Sequence, residues 1–207
     1  MKQITINLYN FEELDENAKQ NAYEYWLRNF FYFDSEFRDS LKKFCDIFDI
    51  ELLGYEFDEC SYHISYDTEP ANVDDSIKGL RLYKYIWNNY SNSLYDNKTY
   101  YLNKTGSYKS RVSRILVSRD NSYVLTGTCW DYTLVKPIHD FLEHYNDDKD
   151  RYTTFDDLMH ECLWSFIKAM HEEYEYAISM EAFEEETKLQ EFEFYKDGTY
   201  FNEKVCS

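Results

Sequence analysis

The stretch from His171 to Phe194, HEEYEYAISMEAFEEETKLQEFEF, sets nine glutamates and five aromatic rings beside a single lysine. Carboxylates at that density can ligate a metal ion, exchange protons as an acid–base pair, or present negative charge to a cationic surface. Acid–base work needs one pair set apart by its surroundings, whereas Glu184-Glu185-Glu186 and its neighbours offer many interchangeable pairs. Helical spacing sorts the groups instead. Glu172, Glu173 and Glu175 fall mainly off an apolar stripe that carries Met170, Tyr174 and Ile178. On the next helix Ala182, Phe183 and Leu189 can face inward, which spreads Glu181, Glu184, Glu185 and Glu186 over the outside. Like charges one turn apart oppose their own helix by about 0.2–0.5 kcal/mol per pair, a cost that suits a surface kept for a cationic partner. These seven glutamates, with Tyr174 and Tyr176 as anchors, are the expected partner-binding residues.

Other chemistry is less well supplied. GTCW (Gly127–Trp130) is similar to the surroundings of a papain-type nucleophile, where the cysteine opens a long helix and is served by a histidine and an orienting amide. Here Cys129 is expected to follow a strand, with no matching histidine pattern, so no catalytic residue is expected. Cys60-x-x-His63 places two zinc-type ligands at chelating distance; His160-x-Cys162 could add to them, although i and i+2 do not face each other on a helix. No second C-x-x-C or H-x3-H completes four ligands, so no cofactor is expected, with structural zinc at Cys60 and His63 as the alternative. HECLW and HEEYE lack the second histidine of H-E-x-x-H, and no nucleophile elbow, phosphate loop or dinucleotide fingerprint is present.

The elements that must position these residues follow from periodicity and caps. Residues 3–9 alternate as a strand; Asp15 caps a helix bearing Ala18, Ala22, Tyr25, Trp26 and Phe30. Ser35 caps a second helix that buries Phe37, Leu41, Phe44, Cys45 and Phe48. Two strands flank Asp58-Glu59, and a third helix spans Asp74 to Tyr90 with Ile77, Leu80, Tyr83, Ile86 and Trp87 inward. Residues 91–108 read as a long loop. A hairpin turning at Asp120-Asn121 follows, then a short helix with Pro137 in its first turn, ending near Tyr145. Thr154 and Asp157 form a capping box for a long helix near 154–178, whose stripe is Phe155, Leu158, Leu163, Phe166, Ile167, Met170, Tyr174 and Ile178. Ser179 caps a helix to about Leu189, and Asp197-Gly198 turns a closing hairpin. The expected architecture is a single α+β domain over 1–207, an antiparallel sheet of short strands with helices on one side.

Composition limits the partners. Forty acidic against 22 basic residues give a formal charge of −18, which disfavours binding to nucleic acid and favours encounter with a basic protein. Basic residues concentrate in 98–119 (Lys98, Lys104, Lys109, Arg111, Arg114, Arg119), where no acidic residue occurs. Twenty-two tyrosines and 15 phenylalanines against 5 glycines and 2 prolines supply amphipathic rings for contact surfaces. Five scattered cysteines, no apolar leader in MKQITINLYNFEEL and no run of 18 apolar residues lead us to expect a reduced, cytoplasmic, non-membrane protein.

The segments INLYNFEELDENAKQNAYEYW, LKKFCDIFDIELLGYEFD and the closing YEYAISMEAFEEETKLQEFEFYKDG together resemble a family of small acidic proteins encoded by phages, prophages and mobile elements, some carrying an antitoxin-like label. Where the family has a Gly- and Ser-rich stretch after the second strand, this chain has ECSYHISYD. The resemblance implies phage origin and a bacterial host cytoplasm. By analogy with acidic phage inhibitors, anti-CRISPR proteins among them, it implies a non-enzymatic DNA mimic that binds a host defence nuclease, plausibly a CRISPR effector. The alternatives are an antitoxin or regulator neutralising a basic partner, and a small metal-dependent enzyme.

Overall fold

A computed structural model of the chain describes residues 5–95, 100–102, 108–111, 123–144 and 154–201. In chain order its elements are α1 (Glu16–Asn29), α2 (Ser35–Phe48), β1 (Glu51–Phe57), β2 (Tyr62–Asp67), α3 (Leu80–Leu94), β3 (Tyr100–Leu102), β4 (Tyr108–Arg111), α4 (Cys129–His144), α5 (Phe155–Ala177) and α6 (Met180–Leu189). Short 3-10 turns occupy Phe11–Glu13 and Glu69–Ala71. The protein is α+β, as expected. Among the described residues the strands form two separate antiparallel pairs, β1–β2 and β3–β4, rather than a common sheet. Two compact units emerge: Met1–Phe33 with Glu172–Ser207, and Asp34–His171.

In the first unit Asp15 stays extended and its carboxylate accepts the Ala18 N–H at 2.9 Å, starting α1 where the sequence placed it. Ala18 and Ala22 are buried, with Phe11, Leu14, Phe183 and Phe194, against the half-buried Tyr9, Tyr23 and Trp26. Small side chains on α1 let the closing turn come close: a Cβ on Gly198, at φ +85°, would lie 2.0 Å from the Ala18 carbonyl oxygen. In its described part the strand expected over 3–9 shows one bridge, where Tyr9 and Phe194 exchange both main-chain hydrogen bonds at 2.9 Å; among the described residues no partner pairs with 5–8. The closing hairpin is also minimal, a Phe194–Tyr200 bridge around the Gly198 turn. Ser179 accepts the Ala182 N–H and starts α6 as expected.

In the second unit α2 buries the five residues its stripe predicts, plus Ser40. The Phe37 ring stacks on Phe166 of α5 with centroids 4.3 Å apart. The expected hairpin forms: Asp58 closes its turn by accepting the N–H groups of Cys60 and Ser61, both at 2.8 Å, which holds its pKa below the usual carboxylate range. Thr154 and Asp157 make the reciprocal capping box at the start of α5, at 2.9 and 3.1 Å.

Three expectations need correction. Helix α3 begins at Leu80, not Asp74, because the Asp74 carboxylate turns onto the Ser76 N–H at 2.7 Å and closes a local turn. Its buried face is Leu82, Ile86 and Leu94, while Leu80 is exposed. Residues 91–94 end that helix, and β3 and β4 pair within and beyond the expected loop 91–108. Helix α4 starts at Cys129, so Pro137 lies in its interior rather than its first turn. The turn expected at Asp120-Asn121 lies outside the described residues. Among the described residues no helix is long and apolar enough to cross a membrane.

Candidate functional site

Every expected partner-binding residue falls in the first unit. Glu172, Glu173 and Glu175 are exposed on the last turns of α5; Tyr174 is half-buried, its ring edge-on to Tyr32 at 5.4 Å. Tyr176 is exposed and donates its hydroxyl to Glu185 Oε2 at 2.9 Å, a bond that raises the tyrosine pKa. On α6, Phe183 and Thr187 point into the core and Glu181 and Glu185 lie exposed. Glu181 sits in the first turn, where the helix dipole favours an anion. Only the later glutamates oppose the dipole. Lys188, the one basic residue of α6, pairs with Glu12 at 3.1 Å, and that hydrogen bond raises its pKa.

Glu184 and Glu186 depart from the expected fully exposed row, both being half-buried. Glu186 reaches inward, where its Oε2 accepts the Trp26 indole N–H at 2.9 Å. It forms part of the wall of a cleft of about 380 Å³ that is otherwise lined by aromatic rings, Ala22 and Asn29. Trp26 and Phe30 from α1 and its end line it together with Phe183 and Phe192, and Tyr25 and Phe31 are its most exposed rings. Trp26 contacts Phe30 at 4.9 Å and Phe183 at 5.1 Å, so its ring is fixed on two sides. Tyr25 and Phe31 are 58% and 81% exposed, which leaves wide ring faces to solvent at the mouth. Among the described residues no lysine or arginine lines the cleft.

The sequence reading missed this cleft. Its signal was present in Asn29–Phe33, NFFYF, four consecutive aromatics that one helix face cannot bury. Phe30 continues the periodicity of α1, which masks the cluster, and Tyr25, expected on the buried stripe, is exposed.

The remaining candidates sit in the second unit. Cys129 opens a helix after all, which overturns the expectation that it follows a strand; its side chain is exposed. The start of α4 is organised by its neighbour Asp131. That carboxylate, fully buried, accepts the N–H groups of Leu125, Thr126 and Gly127 at 2.8–2.9 Å and the hydroxyls of Thr126 and Ser40 at 2.9 and 2.8 Å. Cys60 and His63 are both exposed on the β1–β2 hairpin. His160 Nδ1 lies 2.9 Å from the Tyr66 hydroxyl, and Cys162 is buried, its thiol pKa pushed well up by desolvation. Among the described residues no three His, Cys, Asp or Glu side chains are grouped to hold a metal ion. Of the basic segment, Lys109 and Arg111 lie on β4 and the other four residues are outside the described region.

The sequence matches no family model, and comparison with curated proteins and with solved structures finds no match to either.

Proposed function

We propose that the chain is a non-enzymatic inhibitor that binds one-to-one to the cationic nucleic-acid groove of a host defence nuclease, a CRISPR effector being the preferred target. The observation that carries this reading is the α6 surface: Glu181 and Glu185 are exposed with Glu184 beside them, and Lys188 is paired with Glu12. Spaced carboxylates stand in for phosphates, and exposed rings such as Tyr25 and Phe31 stand in for bases. A formal charge of −18 speeds encounter with a positive groove. The resemblance to acidic phage proteins supports a defence enzyme as the target and a bacterial cytoplasm as the setting.

Titration of the purified chain into a set of purified CRISPR effector nucleases tests the reading. At least one effector loses cleavage of its target DNA at one equivalent. Undiminished cleavage throughout, together with co-purification of a small basic toxin, would replace the proposal with the antitoxin reading.

A further inference from the structure

We propose that the aromatic cleft of the first unit is a receptor for an arginine side chain of the protein partner. The inference deepens the inhibitor reading and rests on it for the partner's basic character. A purely apolar groove would accept any greasy group, but this one carries a carboxylate in its wall. Glu186 is held there by the Trp26 indole at 2.9 Å, and among the described residues no lysine or arginine lines the cleft. The Trp26 donor occupies one direction at Oε2, leaving Oε1 and the second lone pair of Oε2 for an incoming fork of N–H donors.

The rings select the cation. Trp26, Phe30, Tyr25 and Phe31 line the cleft, and the face of an aromatic ring attracts a cation within about 6 Å of its centroid, most strongly in a desolvated setting. A guanidinium is planar and weakly hydrated, stacks on rings and matches a carboxylate two bonds at a time; an ammonium is compact and holds its water. The cleft, about 380 Å³, falls in the range of small-ligand sites, roughly 300–1,000 Å³, and admits a long side chain with its stem. The first unit already uses the same physics internally, with Lys19 Nζ 5.8 Å from the centre of the Phe11 ring. Charge complementarity therefore names the occupant: a carboxylate among rings, on a strongly acidic chain, facing a basic partner.

The probe is a blocked tripeptide, Gly-Arg-Gly, compared with its Lys and citrulline counterparts. The readout is the Trp26 indole N–H resonance, assigned by its disappearance in Trp26→Phe. The Arg peptide shifts that resonance saturably at millimolar concentration, the Lys peptide binds about threefold more weakly, and the neutral citrulline peptide leaves it unmoved. Glu186→Gln, which retains an acceptor for the indole, weakens the Arg peptide about tenfold. Tyr25→Ala, at a position that is 58% exposed, weakens it several-fold. An unmoved Trp26 signal, equal response to citrulline, or equal affinity for Lys overturns the proposal. So does a Trp26 shift that depends on protein concentration alone, which would make a second copy the occupant. A failure here, with nuclease inhibition intact and sensitive to the α6 charges, removes the arginine receptor and leaves the inhibitor reading standing.

Discussion

The Trp26 indole and the Glu186 carboxylate join α1 to α6 through one hydrogen bond of 2.9 Å, and that bond turns Glu186 away from the row of glutamates around it. It sets the boundary between a charged outer surface and an aromatic cleft. Trp26→Phe keeps most of the ring packing and deletes the donor. A charge-assisted bond contributes about 1.5–3 kcal/mol when buried, and half-exposure of both partners reduces this to about 1 kcal/mol. Chemical denaturation followed by circular dichroism measures the loss.

The closing turn depends on Gly198. Its φ of +85° is strained for any other residue, and an added Cβ would meet the Ala18 carbonyl at 2.0 Å. Main-chain atoms on α1 cannot step aside as a flexible side chain would. Gly198→Ala is therefore destabilising by about 2–4 kcal/mol, read as a lowered melting temperature.

How much of this was legible follows from where the signals were local. Asp15, Thr154 with Asp157, and Ser179 cap their helices through their own side chains, so spacing alone located α1, α5 and α6. The α2 stripe was readable because all its apolar residues share one face. Pro137 misled because its preference for a first turn is only a preference. Interior proline costs about 3 kcal/mol, which burial of Leu134, Val135, Ile138, Phe141 and Leu142 along the same helix offsets. The cleft was illegible for a different reason: it is made by rings from α1, α6 and the closing turn, and no local pattern brings these together.

Asp131 is the structural hub beside GTCW. Removing its carboxylate leaves three main-chain N–H groups, at Leu125, Thr126 and Gly127, without their acceptor. Asp131→Ala costs about 3–5 kcal/mol and Ser40→Ala about 1 kcal/mol. Hydrogen exchange resolves the origin: amides at 125–127 lose protection first in Asp131→Ala.

His139 makes stability sensitive to mild acid. Its Nε2–H donates to the Leu94 carbonyl at 3.1 Å, its ring lies on Tyr95 at 4.7 Å, and burial holds its pKa below the ordinary 6.5. The unfolded chain then binds the proton more readily than the folded one. Stability from neutral His139 is fully present above 6.5 and is lost as pH falls from there through the depressed folded value. Urea midpoints measured at about pH 7.5 and about pH 5.5 fall further for the wild type than for His139→Gln.

The central claim is that the α6 carboxylates recognise a positive protein groove. The measurement that tests it most directly is the association rate of the chain with the nuclease it inhibits, followed across a salt series for the wild type and for the triple variant Glu181→Lys, Glu184→Lys, Glu185→Lys. The account predicts an association at least about tenfold slower for the variant at low salt, with the difference closing as salt rises. Equal rates and equal salt slopes for the two proteins would contradict it.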